Sequence, residues 1–210
     1  MSVLAEIAEN VQKGKAQEVA DLVSKALDEG IEAQQILDEG LLKGMGELGV
    51  KFKNNEVFVP EVLIAARALN KGTDTLKARL VDLNVKALGK VVICTVAGDL
   101  HDIGKNLVKL MLEGTGFDVI DLGTDVSADK IVAAVNEHNP DIVALSALLT
   151  TTMSAQGDTI KALEQAGVRD KVKVIVGGAP VTDAFAKEIG ADGYSEDASG
   201  AADIAKSFVV

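Results

Sequence analysis

His101 is one of two histidines in a chain of 210 residues, and it sits in GDLHDIGKN, residues 98–106, directly after an apolar run. Asp99 precedes it by two positions, Asp102 follows it, and Gly104 closes the motif. An imidazole can ligate a metal or carry a proton. A carboxylate two residues away can accept the proton of its other ring nitrogen, which fixes the tautomer and raises ligand basicity. An ordinary zinc site fits poorly, because zinc takes three or four protein ligands. This chain offers His101, the distant His138 and a single cysteine, Cys94, within an apolar run. One imidazole suffices only for a metal that arrives already held by a macrocycle. Taken alone, the motif also reads, and more readily, as a loop histidine beside a helix-capping Asp102. His138, in NEHNPD, ends a helix on the opposite edge and is read as structural.

Nucleotide chemistry fails at the same loop. A dinucleotide fingerprint needs G-x-G-x-x-G, and the middle glycine between Gly98 and Gly104 is missing. A P-loop needs G-x-x-x-x-G-K followed by Ser or Thr, but the spacing here is one residue too long and Asn106 follows Lys105. A phosphorylated receiver could use Asp99, yet it wants an acidic cluster and a lysine after the last strand. GGAP and YSED stand at the fourth and fifth strand ends instead.

The elements that must position these residues have two textures. Residues 1–86 carry apolar positions at helical spacing, such as Leu4, Ile7 and Val11, then Val19, Leu22 and Val23, and later Val62, Leu63, Ala66, Leu69, Leu76 and Leu80. Breaks fall at Gly14, near Gly30 and at KNNEVFVPE, where Pro60 suits the first turn of a new helix. Four helices in a small antiparallel bundle are expected. Gly40, Gly44, Gly46 and Gly49 fall inside one of them, which implies either close helix packing or approach of a flat ligand.

From Lys90 onward, strand and helix patterns alternate five times: KVVICTVAG, FDVIDLG, PDIVALSA, KVKVIVGG and ADGYSED are the strands. Their apolar character predicts a parallel sheet with helices on both faces. The expected domains are 1–86 and 90–210, joined by a linker at 84–90. Ligands of such sheets bind at the carboxyl ends of the strands. Those ends read GDLHDIG, DLGTDV, SALLTTTM, GGAPVT and YSEDAS.

Composition sets limits on partners. Net charge is −11 and no basic run appears, so nucleic acid is not an expected partner. No apolar stretch reaches the roughly 20 residues that span a bilayer. The acidic N-terminus and the lone cysteine suit a cytoplasmic protein without a signal peptide.

Asp99-Leu100-His101-Asp102-Ile103-Gly104, Ser146-Ala147-Leu148 and Gly177-Gly178 together resemble the three-part signature of cobalamin-binding domains. FVPEVLIAARALNKG resembles the last cap helix of methyl-transferring corrinoid proteins. Over essentially its whole length the chain is similar to the short corrinoid proteins of three-component methyltransferase systems and to the cobalamin module of methionine synthase. The resemblance reverses the bland reading of His101. It implies a flavodoxin-like, Rossmann-like five-stranded parallel sheet under a four-helix cap. It implies cobalamin bound base-off and His-on, cycling between methylcobalamin and cob(I)alamin, with His101 as lower axial cobalt ligand. Asp99 and Thr152 would complete a proton relay with His101, with Thr150 and Thr151 near enough to substitute. Gly98, Leu100, Asp102, Ile103, Gly104, Ser146, Leu148, Gly177, Gly178, Ala179 and Tyr194 would contact the cofactor and its nucleotide tail. Phe58, Val59, Val62 and Leu63 would face it from the cap, although bundle core describes these apolar residues equally well. Residues 83–89 would act as a hinge.

The implied function is a methyl carrier with little catalysis of its own. One substrate-specific methyltransferase would load it, a second would unload it onto a thiol or a pterin, and a reductive activase would accompany them. The alternatives are the small subunit of an adenosylcobalamin mutase, which would need a barrel, and a cobalamin sensor, which would need an output module.

Overall fold

The computed structural model describes residues 2–79 and 87–210. Leu80 and residues 83–86 of the expected linker and hinge lie outside the described residues. Two compact units are present, an N-terminal helical one and an α/β one that begins at Ala87.

The helical unit contains α1 (Val3–Gln12) and α2 (Ala16–Asp28). A third helix then runs without interruption through α3 (Ala33–Gln35), a π-helical stretch (Ile36–Leu42) and α4 (Lys43–Lys53). The fourth is α5 (Val59–Arg79). Its entry is fixed by Pro60 in the first turn and by the Glu61 carboxylate, which accepts the Phe58 N–H at 3.1 Å. Ile7, Val11, Val19, Val23, Leu41 and Leu76 form the interior. Val62, expected at the cofactor face, is 0% exposed and belongs to this interior. Its spacing of four and then three along α5, with Ala66 and Leu69, puts it on the buried stripe.

Close helix packing accounts for two of the four clustered glycines. A side-chain carbon at Gly40 would stand 3.1 Å from Ile7, and one at Gly44 would stand 2.5 Å from the Ala8 carbonyl oxygen. Gly46 is exposed and meets nothing within 4 Å.

The second unit runs β1 (Lys90–Thr95), α6 (Ile103–Thr115), β2 (Asp118–Asp121), α7 (Ala128–His138), β3 (Ile142–Ser146), α8 (Ser154–Gln165), β4 (Lys173–Gly177), α9 (Asp183–Glu188), β5 (Gly193–Ser195) and α10 (Ala198–Ser207). The strands are all parallel, in the order β2-β1-β3-β4-β5. This is the flavodoxin-like order, and its direction reverses between β1 and β3. The helices that follow those two strands therefore pack on opposite faces of the sheet, while the loops that leave the strands stay neighbours. Gly89, placed in the hinge from the sequence, is tied to the sheet, because its carbonyl accepts the Asp118 N–H at 2.9 Å.

Strand alternation assigns the two faces. Cys94, Leu145 and Val176 share a register line and pack with Ile131, Val135, Ile160 and Leu163 of α7 and α8. The opposite face carries Ile93, Ala144, Ile175 and Gly193 in one line, with Ile204 of α10 and Phe208 just beyond it against Gly193. Burial pushes the Cys94 thiol up to about 12, so it is no thiolate at neutral pH.

The glycine geometry gives a paired test of the helical unit. Gly44→Ala is expected to destabilise by about 1–3 kcal/mol through overpacking against the α1 backbone. Gly46→Ala is expected to stabilise by up to about 1 kcal/mol through helix propensity. Urea unfolding of the two variants measures both.

Candidate functional site

Because all five strands run the same way, their carboxyl ends meet along one edge. The loop after β1 brings Gly98 to Gly104 there, the loop after β3 brings Leu148 to Thr152, and β4 ends at Gly177, Gly178 and Ala179. The centre of the arrangement is the Asp99 carboxylate, which is 0% exposed. Its Oδ1 accepts the His101 N–H at 3.1 Å and faces His101 Nδ1 at 2.7 Å. Its Oδ2 accepts the N–H groups of Leu148 at 2.7 Å and Leu149 at 3.3 Å, and the Thr152 hydroxyl at 2.6 Å. Burial by itself would raise the Asp99 pKa. The hydrogen bonds from Thr152, His101 and Leu148 outweigh it and hold the carboxyl well below the usual carboxylate range.

A carboxylate only accepts, so the proton between Asp99 and the imidazole resides on Nδ1. Nε2 is left with its lone pair, and the His101 side chain is half exposed. The arrangement thus presents one oriented imidazole nitrogen to whatever lies on the sheet edge. The loop is held from below, where the Thr95 hydroxyl donates to the His101 carbonyl at 2.8 Å. Thr152 has a second acceptor for its single proton, the Leu149 carbonyl at 3.0 Å. Thr150 and Thr151 are exposed and have no bond to Asp99, so the buried hydroxyl of the three is Thr152.

Around the imidazole the surface is unusually apolar. Leu100 and Ile103 are 74% and 79% exposed, and Leu148 and Leu149 are each 42% exposed. Gly104 lies in the first turn of α6, where a side-chain carbon would meet nothing within 4 Å. Internal packing does not ask for that glycine. One register line across the sheet end reads Thr95, Ser146, Gly177 and Ser195, all small, on the face that carries α10. Gly178, by contrast, is required by the fold itself. Its φ is +125°, and a side chain there would collide with the Ala147 carbonyl. Asp102 is exposed, and its carboxylate accepts the Asn106 side-chain amide at 3.1 Å.

Within the α/β unit, one expected member faces away from the other site residues. Tyr194 pairs in register with Val176 and packs into the core on the α7/α8 face, opposite the line containing Ser146 and Gly177. Period-two alternation along β5 separates it from Ser195 and from that line. Phe58 and Val62 belong to the helical unit, where Phe58 is 65% exposed.

Two features went unread in the sequence. Lys105 is buried and makes an ion pair with Asp121 at 2.6 Å. Burial opposes ionisation of Asp121, but the Lys105 ammonium beside it holds its carboxyl below the ordinary value. Asp125, in DLGTDV, accepts the Gly98 N–H at 2.7 Å. In the sequence both acids lie only at or just past a strand end, and their partners are distant in the chain.

Residues 89–203 match the B12 binding domain family, and residues 3–77 match a second B12 binding domain family. The chain belongs to the B12-binding proteins. A corrinoid protein of Desulfitobacterium hafniense is 40% identical over 100% of this B12-binding chain and 98% of its own length. Dimethylamine corrinoid protein 3 of Methanosarcina acetivorans is 42% identical over 99% and 97%. The methanol:cobalamin methyltransferase complex MtaBC from Methanosarcina barkeri contains a chain superposing with a TM-score of 0.90 at 31% identity, covering 99% of this chain and 79% of that one.

The cofactor of this B12-binding chain is a corrinoid, and the residues fit one. An accessible imidazole nitrogen, exposed leucines and an isoleucine beside it, the open space at Gly104 and the line of small residues suit a macrocycle with a tail. Among the described residues no group of three or more His, Cys, Asp or Glu could hold a metal by itself. No helix among them is long and apolar enough to cross a membrane.

Thr152→Val leaves a buried carboxylate one donor short and is expected to cost about 1.5–3 kcal/mol, whereas Thr152→Ser keeps the hydroxyl and costs less. Asp99 has a depressed folded pKa, so its stabilisation is complete above the unfolded value of about 4 and is lost as pH falls toward the folded value. The gap between wild type and Thr152→Val therefore narrows below about pH 4. Urea unfolding from neutral to acid pH reads both effects.

Proposed function

We propose that this protein is the methyl-carrier component of a methyltransferase system and holds its corrinoid base-off and His-on. The observation that carries this reading is the half-exposed His101 imidazole, whose Nδ1 is committed to a buried, ionised Asp99. When bound, the corrinoid supplies a cobalt centre that can take up a methyl group and give it away. His101 Nε2 would be the protein atom that holds the cobalt. Asp99 holds the imidazole in the tautomer that frees that lone pair and makes it more basic. Thr152 completes the relay: its proton, shared between Asp99 and the Leu149 carbonyl, tunes how strongly Asp99 draws on the Nδ1 proton.

Leu100, Ile103, Leu148 and Leu149 provide an apolar rest for the macrocycle and keep water from the ligand nitrogen. Gly104 leaves room for it above the first turn of α6. Ser146 and Gly177, with Thr95 and Ser195, border the slot for the nucleotide tail. Gly98 and Gly178 shape the loops that flank that slot, and Asp102 and Ala179 lie on its rim. The helical domain, residues 1–86, shields the cofactor. Phe58, Val59 and Leu63 are its exposed apolar residues best suited to do so.

Two relatives are named for dimethylamine and for methanol:cobalamin methyl transfer. Those names support a separate methyltransferase that selects a small methylated donor; a second methyltransferase and a reductive activase complete the proposed set of partners. The unloading step would give the methyl group to a thiol or a pterin.

The experiment is a cobalt count and a paramagnetic resonance spectrum of the cobalt(II) form, after incubation with hydroxocobalamin, beside His101→Ala. The expected result is about one cobalt per chain, with nitrogen splitting from one histidine that disappears in His101→Ala. Wild-type splitting that does not change on 15N-histidine labelling comes from the cofactor's own base and would refute the ligand assignment, and failure of the wild type to retain cobalt would refute the carrier reading.

A further inference from the structure

Two loops distant in sequence are stitched together beside His101. Asp125 lies in the turn after β2 and has φ +53°, a left-handed conformation uncommon for a residue with a side chain. Its N–H donates to the Asp99 carbonyl at 3.0 Å, and its Oδ1 accepts the Gly98 N–H at 2.7 Å. Nearby, Val126 donates to the Thr95 carbonyl at 3.1 Å, and Val96 bridges Val126. The Asp99 N–H itself closes a turn onto the Val96 carbonyl at 3.2 Å. The donors on the Asp99 carboxylate fix where its oxygens end. The two bonds from Asp125 fix the backbone from which the carboxylate hangs. Glycine would adopt this φ without strain. What an aspartate adds at position 125 is an acceptor for Gly98.

We infer that Asp125 is a positioning residue for the Asp99–His101 pair. By gripping the Gly98 N–H and the Asp99 carbonyl, it sets the direction of the Asp99 carboxylate and, through it, the Nδ1-protonated tautomer of His101. Without the acceptor, the Gly98 peptide unit turns to find water, the carboxylate swings, and the imidazole samples both tautomers. The consequence for cobalt rests on the ligand role proposed for His101; the local geometry does not.

The test uses the full chain, first without cofactor and then loaded with hydroxocobalamin and reduced to cobalt(II). Asp125→Gly removes the acceptor at an exposed position where glycine relaxes the backbone, so the fold is retained. Asp125→Asn keeps an acceptor oxygen and serves as the conservative rescue. In the cofactor-free protein, the ring-nitrogen NMR signals of His101 are expected to move in Asp125→Gly from a single Nδ1–H tautomer toward the average of two. Amide exchange at Gly98 is expected to rise about tenfold. Asp125→Asn should match the wild type in both. After loading, the fraction of cobalt(II) showing histidine nitrogen splitting is expected to fall to about half or less in Asp125→Gly. A wild-type tautomer and wild-type Gly98 exchange in Asp125→Gly would overturn the inference. Absence of nitrogen splitting in the loaded wild type would instead count against His101 as ligand, with the cofactor-free comparison still deciding the role of Asp125.

Discussion

A carboxylate with no exposure to water is tolerable only if its charge is answered by hydrogen bonds, and Asp99 meets this condition through donors from two loops. That requirement organises the sheet edge. The loop after β1 must bring His101 back toward Asp99, and the loop after β3 must turn so that the Leu148 and Leu149 N–H groups point inward. Thr152 must then be buried at the start of α8. Removing any one donor leaves the others to carry an uncompensated charge. The orientation of His101 is thus a by-product of solving a solvation problem.

Sheet topology makes this solution available. In the order β2-β1-β3-β4-β5, β1 and β3 are neighbours, yet their outgoing chains depart to opposite sides. The loops from β1 and β3 can meet at Asp99 without a helix between them. The β2 loop reaches the same place from the other flank, through the bridge between Val96 and Val126 and the bonds of Asp125. Two kinds of glycine follow from this crowding. Gly178 exists because the Ala147 carbonyl occupies the space of a side chain, while Gly104 faces open space beside the exposed imidazole. The first serves the fold. The second has no internal packing to explain it, which suits an edge that receives a large ligand.

The sequence by itself determined much of this protein. Apolar periodicity of three and four in residues 1–79, and uniformly apolar runs from Lys90 onward, report burial directly, so every strand and the main helices were legible. The spacing of Asp99 and His101 was enough to suggest their hydrogen bond, because two residues in one tight turn cannot be far apart. Thr152 was legible only by resemblance. Its bond to Asp99 spans 53 positions, and nothing local distinguishes it from Thr150 and Thr151.

Tertiary structure alone decided the rest, and the reason is the same in each case: these properties depend on partners distant in the chain. Val62 reads as exposed or buried equally well until α5 is packed. Tyr194 sits one residue from Ser195, and only the pairing of β5 with β4 shows that the two face opposite ways. Asp125 and Asp121 are ordinary acids in DLGTDV and FDVIDLG until the sheet carries one to Gly98 and the other to Lys105. A one-dimensional pattern encodes which residues avoid water, because avoidance is a property of each side chain. Which buried or half-buried group meets which is a property of pairs, and it exists only once the strands are in register.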